Sequence, residues 1–281
     1  MKKYLAIAMA ALLLVCSLAS CVSGADSSID EYTPEVDYLV QKDADGNVLG
    51  TFYFDEGDGD TAILRKYVGK KTSDDHVEVP KMFGDRVVTN IGKQAFYNLA
   101  AVVEITLPDS ILVIDEYAFA GCSELTALNL PDGVTTIGEG AFLNCVALTD
   151  VKLNNSLETI GAKAFNGCTA MTNVDLPAGL TSIGDGAFTF CKSMTTLIVP
   201  ASVNTIGELA YTDCTGLESI TFISDATVIG AHAFEHADGT NLKDKFVLTG
   251  LGAESKVMTY INGLSDSPET DEIETDPVEA E

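Results

Sequence analysis

The chain repeats itself every 23 residues. An isoleucine stands at 91, 114, 137, 160, 183, 206 and 229 with no insertion between units. Alanine follows four places later in all seven units (95, 118, 141, 164, 187, 210, 233). The next slot is aromatic throughout: Phe96, Phe119, Phe142, Phe165, Phe188, Tyr211 and Phe234. Cys122, Cys145, Cys168, Cys191 and Cys214 share a further slot, and apolar triplets such as Leu125, Leu128 and Leu130 come after it. Pro131, Pro177 and Pro200 close that segment. A short unit of this kind cannot bury Leu, Ile and Phe by itself. A fixed period without insertions therefore predicts one coil per repeat, stacked into a solenoid.

Each slot then acquires a physical role. Segments such as "LTALNL" alternate inward and outward as strands do and, stacked in parallel at about 4.8 Å per coil, would form one sheet. Glycine after the isoleucine allows a tight corner that a Cβ would obstruct. The Ala-Phe pair is expected in a single helical or 3₁₀ turn, with phenylalanine filling the interior. Proline ends the strand and turns the chain. The fold class is a repeat solenoid, mainly β, with a C-terminal capping helix. Its organisation reads as a strand-rich cap over 38–90, seven coils over 91–248, a closing helix over 249–264 and an acidic tail over 265–281. Outward strand positions are Glu104, Thr106, Ala127, Asn129, Asp150, Lys152, Asn173, Asp175, Thr196, Ile198, Ser219 and Thr221. Those in one repeat slot, such as Asp150, Asn173, Thr196 and Ser219, should form a continuous row.

The start of the chain has a different logic. "MKKYLAIAMAALLLVCSLASC" places two lysines before an apolar run and small residues before Cys21, the order of a secretory signal. The run from Tyr4 to Val15 is too short to span a bilayer, which takes about 20 residues. "LASC" at 18–21 resembles the lipobox of bacterial lipoproteins. That resemblance implies removal of residues 1–20 and acylation of Cys21, with 21–37 as a polar tether. Without residues 1–20 the chain carries 14 Lys+Arg against 42 Asp+Glu, a net charge of −28. Such a surface repels nucleic acid and anionic headgroups, and no basic cluster interleaved with aromatics is expected, which excludes nucleic-acid binding. Membrane attachment is thus expected through acyl chains on Cys21. The tail beyond Leu264 has eight acids and no base and reads as solvated.

The repeat pattern, roughly I-G-x-x-A-F-x-x-C-x-x-L-x-x-[VIL]-x-[LI]-P, resembles the BspA-type leucine-rich repeats of bacterial surface antigens. Seven units match over about 90–240. "FYFDEGDGDTAILRKYVGKKTSDDHVEVPKMFGDRVVTNIG" resembles the strand-rich lead-in of such domains, and "FVLTGLGAESKVMTYINGL" resembles their exit strand and closing helix. The resemblance implies a surface-anchored lipoprotein adhering to host or neighbouring-cell proteins, those of the extracellular matrix among them. The outward strand positions are then its partner-binding candidates. The alternative is an envelope spacer without a specific partner, which the lack of outward Tyr, Trp and Arg favours.

Several motifs invite other chemistries. The five repeated cysteines occupy a slot held by Leu99 and Ala237 in the end units, which predicts buried thiols acting as small hydrophobes. "HAFEH" at 232–236 fits the H-x-x-E-H zinc-protease pattern, yet Ala233 and Phe234 are the repeat's own pair. His232, Glu235 and His236 fall on slots that vary freely, and one turn cannot supply a sustained ligand helix. "DADGN" at 43–47 and "DEGDGD" at 55–60 look calcium-like, but position twelve from Asp43 is Phe54, so hairpin turns are expected there. With three histidines, no Trp and no nucleotide fingerprint, no enzyme, cofactor or metal site is expected.

Overall fold

The computed structural model describes residues 28–29, 37–43, 45–69, 76–236, 240–247 and 255–264. The signal sequence 1–20, Cys21, most of the tether 21–37 and the tail 265–281 lie outside the described residues. The architecture is a parallel-strand β-solenoid with one C-terminal helix.

The cap begins with β1 (Ser28–Ile29), β2 (Tyr38–Lys42), β3 (Val48–Glu56) and β4 (Thr61–Gly69), paired antiparallel in that order. "DADGN" makes the β2–β3 hairpin. Asp43 Oδ1 accepts from the Asp45 and Asn47 amides at 3.0 and 2.7 Å, as a turn-forming aspartate does. β5 (His76–Glu78), β6 (Met82–Phe83) and β7 (Arg86–Ile91) follow. β4 pairs with β7 in parallel, Leu64 opposite Ile91. The solenoid therefore starts inside the stretch assigned to the cap, with a coil of irregular length ahead of the seven regular ones. The inserted β5 and β6 hide that coil from the 23-residue period.

From Ile91 the register follows the sequence. Ile91 pairs with Ile114, Ile137 with Ile160, Ile160 with Ile183, Ile183 with Ile206 and Ile206 with Ile229. These two-residue rungs extend the cap sheet into one sheet of 12 strands, with β6 paired beside β7 off the main ladder. Glycine after the isoleucine serves close approach: a Cβ on Gly161 would stand 2.7 Å from the carbonyl carbon of Gly138.

Beyond that glycine the chain departs from the expected helical turn. Ala118, Ala120 and Cys122 amides bond back to the carbonyls of Asp115, Tyr117 and Phe119, whereas Tyr117, Phe119 and Gly121 amides donate to Glu139, Ala141 and Leu143 in the next coil. The alternation needs positive φ at two fixed slots, three and seven places after the isoleucine. They hold Gln94, Tyr117, Gly140, Lys163, Gly186, Leu209 and His232, then Asn98, Gly121, Asn144, Gly167, Phe190 and Asp213. A left-handed residue at every fourth place breaks a helix and frees alternate amides for the neighbouring coil.

The core is a column of rings. Phe96, Phe119, Phe142, Phe165, Phe188, Tyr211 and Phe234 stack with centroids 5.0 to 5.3 Å apart and planes within 12°. Tyr67 of β4 heads the column at 5.5 Å from Phe96. At the other end α1 (Lys256–Gly263) closes it. The Ser255 hydroxyl caps this helix by accepting from the Met258 amide at 2.9 Å, and Tyr260 sets its ring edge-on to Phe234 at 6.1 Å. The hydrophobic end of the last coil is thereby covered, as a solenoid requires.

Candidate functional site

The second strand of each coil carries the predicted outward residues. Ile105, Leu128, Val151, Val174, Leu197 and Ile220 point inward and are buried. Between them Glu104, Thr106, Asn129, Asp150, Lys152, Asn173, Asp175, Thr196 and Ile198 are exposed, while Ala127, Ser219 and Thr221 are half-buried. Exposure alone does not make a single face, and here the structure departs from the expectation. The rungs form two separate sheets. One joins β5 to Glu104–Thr106, Ala127–Asn129 and Asp150–Lys152; the other joins Thr196–Val199, Ser219–Phe222 and Phe246–Val247.

The break falls at the coil of Asn173 and Asp175, neither of which lies in a strand. Its cause is local. The Asp150 and Ser219 amides donate to main-chain carbonyls one coil back, those of Thr126 and Thr195. At the equivalent place Thr196 N–H goes instead to Asn173 Oδ1 at 3.2 Å, and that oxygen also accepts from the Thr195 and Thr196 hydroxyls at 3.2 and 3.0 Å. A side-chain amide oxygen has displaced the ladder. Asp150, Asn173, Thr196 and Ser219 thus do not form one uninterrupted strand row.

The two halves differ in chemistry. The first is charged and polar: His76 Nδ1 lies 3.3 Å from Glu104 Oε2, and Glu104, Thr106, Ala127 and Asn129 line a shallow depression of about 80 Å³. In the second, Ile198, Thr221 and Val247 stand in register across three strands, and Ile198 and Ile223 are 59% and 62% exposed. This apolar patch was partly legible, since Ile198 was among the outward residues. Ile223 and Val247 were missed because they lie just outside the repeated triplet.

Other candidate groups sort differently. Each repeated thiol is free, buried and aimed at a main-chain carbonyl: Cys122, Cys145, Cys168, Cys191 and Cys214 Sγ donate to Phe96, Phe119, Phe142, Phe165 and Phe188 at 3.1 to 3.3 Å. Burial pushes the thiols of Cys122, Cys168 and Cys214 up to about 12, and those of Cys145 and Cys191 also rise. They stay protonated and unreactive. The "HAFEH" histidines do not converge. His232 Nδ1 meets Glu235 Oε2 at 2.9 Å, a contact that raises the pKa of His232, and His236 Nδ1 lies 3.7 Å from Asp213.

One cluster was not anticipated. A cleft of about 540 Å³ is lined by Tyr53 of β3, by Arg65, Lys66, Tyr67 and Val68 of β4, and by Lys93, Gln94, Ala95 and Tyr97 of the first corner. Cations and tyrosines are interleaved here after all. The linear sequence held only "RKY" at 65–67, and parallel pairing of β4 with β7 supplies the rest.

Among the described residues no helix is long and apolar enough to cross a membrane. No curated protein matches the sequence. Solved structures similar to this chain include a leucine-rich cell surface protein of Faecalibacterium prausnitzii, at 25% identity and a TM-score of 0.47 over 62% of this chain. This chain spans 53% of that one. A leucine-rich repeat protein of T. pallidum has 22% identity and a TM-score of 0.47, covering 76% of this chain and 94% of its own. One from Bacteroides ovatus has 19% identity and a TM-score of 0.44, covering 66% and 78%. The profile of the BspA type leucine rich repeat region matches in six copies over 89–188 and 135–249, more than half of the sequence. With that register, corner and ring column in place, the chain belongs to the BspA-type leucine-rich repeat family.

Proposed function

We propose that this chain is an exported, lipid-anchored bacterial surface protein that binds another protein through the solvent face of its second strand ladder. The observation that carries the reading is the apolar patch of Ile198, Ile223 and Val247 on an otherwise polar face. Isolated surface hydrophobics need no explanation, but Ile198 and Val247 flank Thr221 in register, Ile223 follows two residues along the middle strand, and Thr196 and Ser219 border them, the make-up of an interface centre. Cys21 would supply the anchor, and the net charge would keep the domain clear of anionic membrane.

Surface plasmon resonance on immobilised fibronectin, laminin and collagen tests the reading. Saturable binding to one of them should fall at least about ten-fold for Ile198→Asp with Ile223→Asp, while His232→Ala, at the corner, binds as wild type. If the Ile variant binds normally and the His variant fails, the site is at the corners. Cys21→Ser should move the protein from the detergent phase to the aqueous phase; unchanged partitioning would reject the lipid anchor. The spacer reading keeps one supporting observation, the lack of Tyr, Trp and Arg among the outward rung residues. Salt-sensitive background without saturation on every matrix protein would favour it.

A further inference from the structure

We propose that the cleft between β4 and the first corner binds an acidic oligosaccharide, with Arg65, Lys66 and Lys93 taking a carboxylate or sulfate and Tyr53 and Tyr97 flanking a sugar ring. The first argument is charge. Residues 42–93 hold eight of the 16 Lys+Arg and ten of the 42 Asp+Glu, while the rest of the chain is overwhelmingly acidic. Three cations facing one cleft are the exception on such a surface. Arg65 is steadied through Nε by Asp55 at 3.3 Å and Lys93 by Glu116, whereas Lys66 has no ion-pair partner among the described residues. A guanidinium takes a planar carboxylate or sulfate as a fork, and the lysines add point charge.

The backbone is arranged for it. β3 and β4 slip register so that Tyr53 faces Lys66 and Phe54 faces Leu64, leaving Arg65 as the extra residue of a bulge. A bulge re-aims side chains. Here strand alternation lapses, and Arg65 and Lys66 are both exposed between buried Leu64 and Tyr67. The floor is rigid. Tyr67 packs 4.7 Å from Phe52 and 5.5 Å from Phe96, and its ring lies over Gly50, where a Cβ would come within 2.2 Å of the tyrosine oxygen. An open cleft on a fixed floor persists without a ligand and lies within the roughly 300–1,000 Å³ range of small-ligand sites.

The chemistry favours a saccharide over an acidic peptide. β3 is paired to β2 and β4, and beyond Leu64, where β4 leaves β7, the Tyr67 amide is already bonded to the Ala95 carbonyl at 2.8 Å, so the cleft offers no continuous strand edge to a peptide backbone. What the cleft offers is side chains alone: tyrosine rings for the apolar face of a pyranose, phenol and Gln94 amide groups for hydroxyls, cations for the acid. The acidic remainder of the chain repels a long polyanion and confines recognition to a short stretch.

The site is separate from the strand face, so either can fail alone. Isothermal titration calorimetry of the purified chain in about 0.15 M salt would use trigalacturonate, a heparin-derived tetrasaccharide, neutral cellotriose, hexaglutamate and sodium sulfate. At least one acidic saccharide should bind saturably at one site, and the other three probes should not. Which of the two acidic saccharides binds names the acid. Lys66→Glu and Tyr97→Ala, both at exposed positions and checked by circular dichroism, should each weaken it by at least about ten-fold. The proposal is overturned if neither acidic saccharide binds saturably. Equal binding of cellotriose, hexaglutamate or sulfate overturns it too, as does full affinity in a folded variant of either kind.

Discussion

Among the rings of the seven regular coils Tyr211 alone carries a hydroxyl, and that oxygen is buried with no hydrogen-bond partner. Burial also raises its pKa far above the tyrosine range, so the group stays neutral and unsatisfied. A buried polar group left without a partner costs roughly 1–3 kcal/mol. Tyr211→Phe restores the residue of the other six regular coils and should gain about 1 kcal/mol, seen as a higher melting temperature; a lower one would mean that the hydroxyl is bonded. The left-handed slots permit a second test. Leu209 sits at φ 58° and is 42% exposed, so a large part of its side chain contributes no burial while its Cβ strains the backbone. Leu209→Gly should stabilise by about 0.5 kcal/mol, the relief exceeding glycine's extra chain entropy, whereas Glu208→Gly next door should destabilise by about as much. Matching signs would remove the strain argument. The sequence hid this constraint, because Gln94, Tyr117, Lys163, Leu209 and His232 share no preference for positive φ. The inter-coil hydrogen bonds impose it on whatever side chain is present.

At the scale of the coil, what was legible was whatever depends on side-chain identity at a fixed offset. Phe165 and Cys168 read as core and are fully buried; Pro200 ends the Thr196–Val199 rung as expected. What was not legible depends on one side chain competing with the backbone. Asn173 interrupts the second ladder by a hydrogen bond that its exposed, polar slot did not announce. Asn154 replaces a proline of the repeat, and its buried side-chain amide donates to the carbonyls of Pro131 and, at 2.9 Å, Val134 in the preceding coil. Asn154→Ala leaves both oxygens unbonded by it and should cost about 1–3 kcal/mol in chemical denaturation. Phe165→Ala opens a gap between Phe142 and Phe188 and should cost about 3–5 kcal/mol. Lys163→Ala, two residues away and exposed, should stay within about 0.5 kcal/mol. Equal losses for the last two would contradict the register of the column.

The whole molecule is a one-dimensional stack, and its stability should be a sum of coils and the interfaces between them. Every regular rung pairs at an offset of 23 residues, so excising one whole unit leaves each remaining coil with neighbours of the same shape. Deleting Gly161–Ile183 joins Ile160 to Gly184 and brings Phe142 under Phe188 and Cys145 under Cys191. It also removes Asn173, the residue that separates the two second-ladder sheets. The Asp150–Lys152 rung then meets Thr196–Ile198 with ordinary strand residues on both sides. The shortened chain should melt cooperatively at a somewhat lower temperature, having lost one interface. Its Thr196 amide, bonded to a main-chain carbonyl instead of a side chain, should exchange with deuterium more slowly than in the parent. Deleting only Gly161–Ser182 removes one residue fewer and leaves Ile183 as an extra residue between Ile160 and Gly184. Every later slot shifts by one place against the coil below, which turns Phe188 away from the column. That variant should lose its cooperative transition. If both deletions melt alike, the coils are not the independent, register-locked units that the 23-residue period describes.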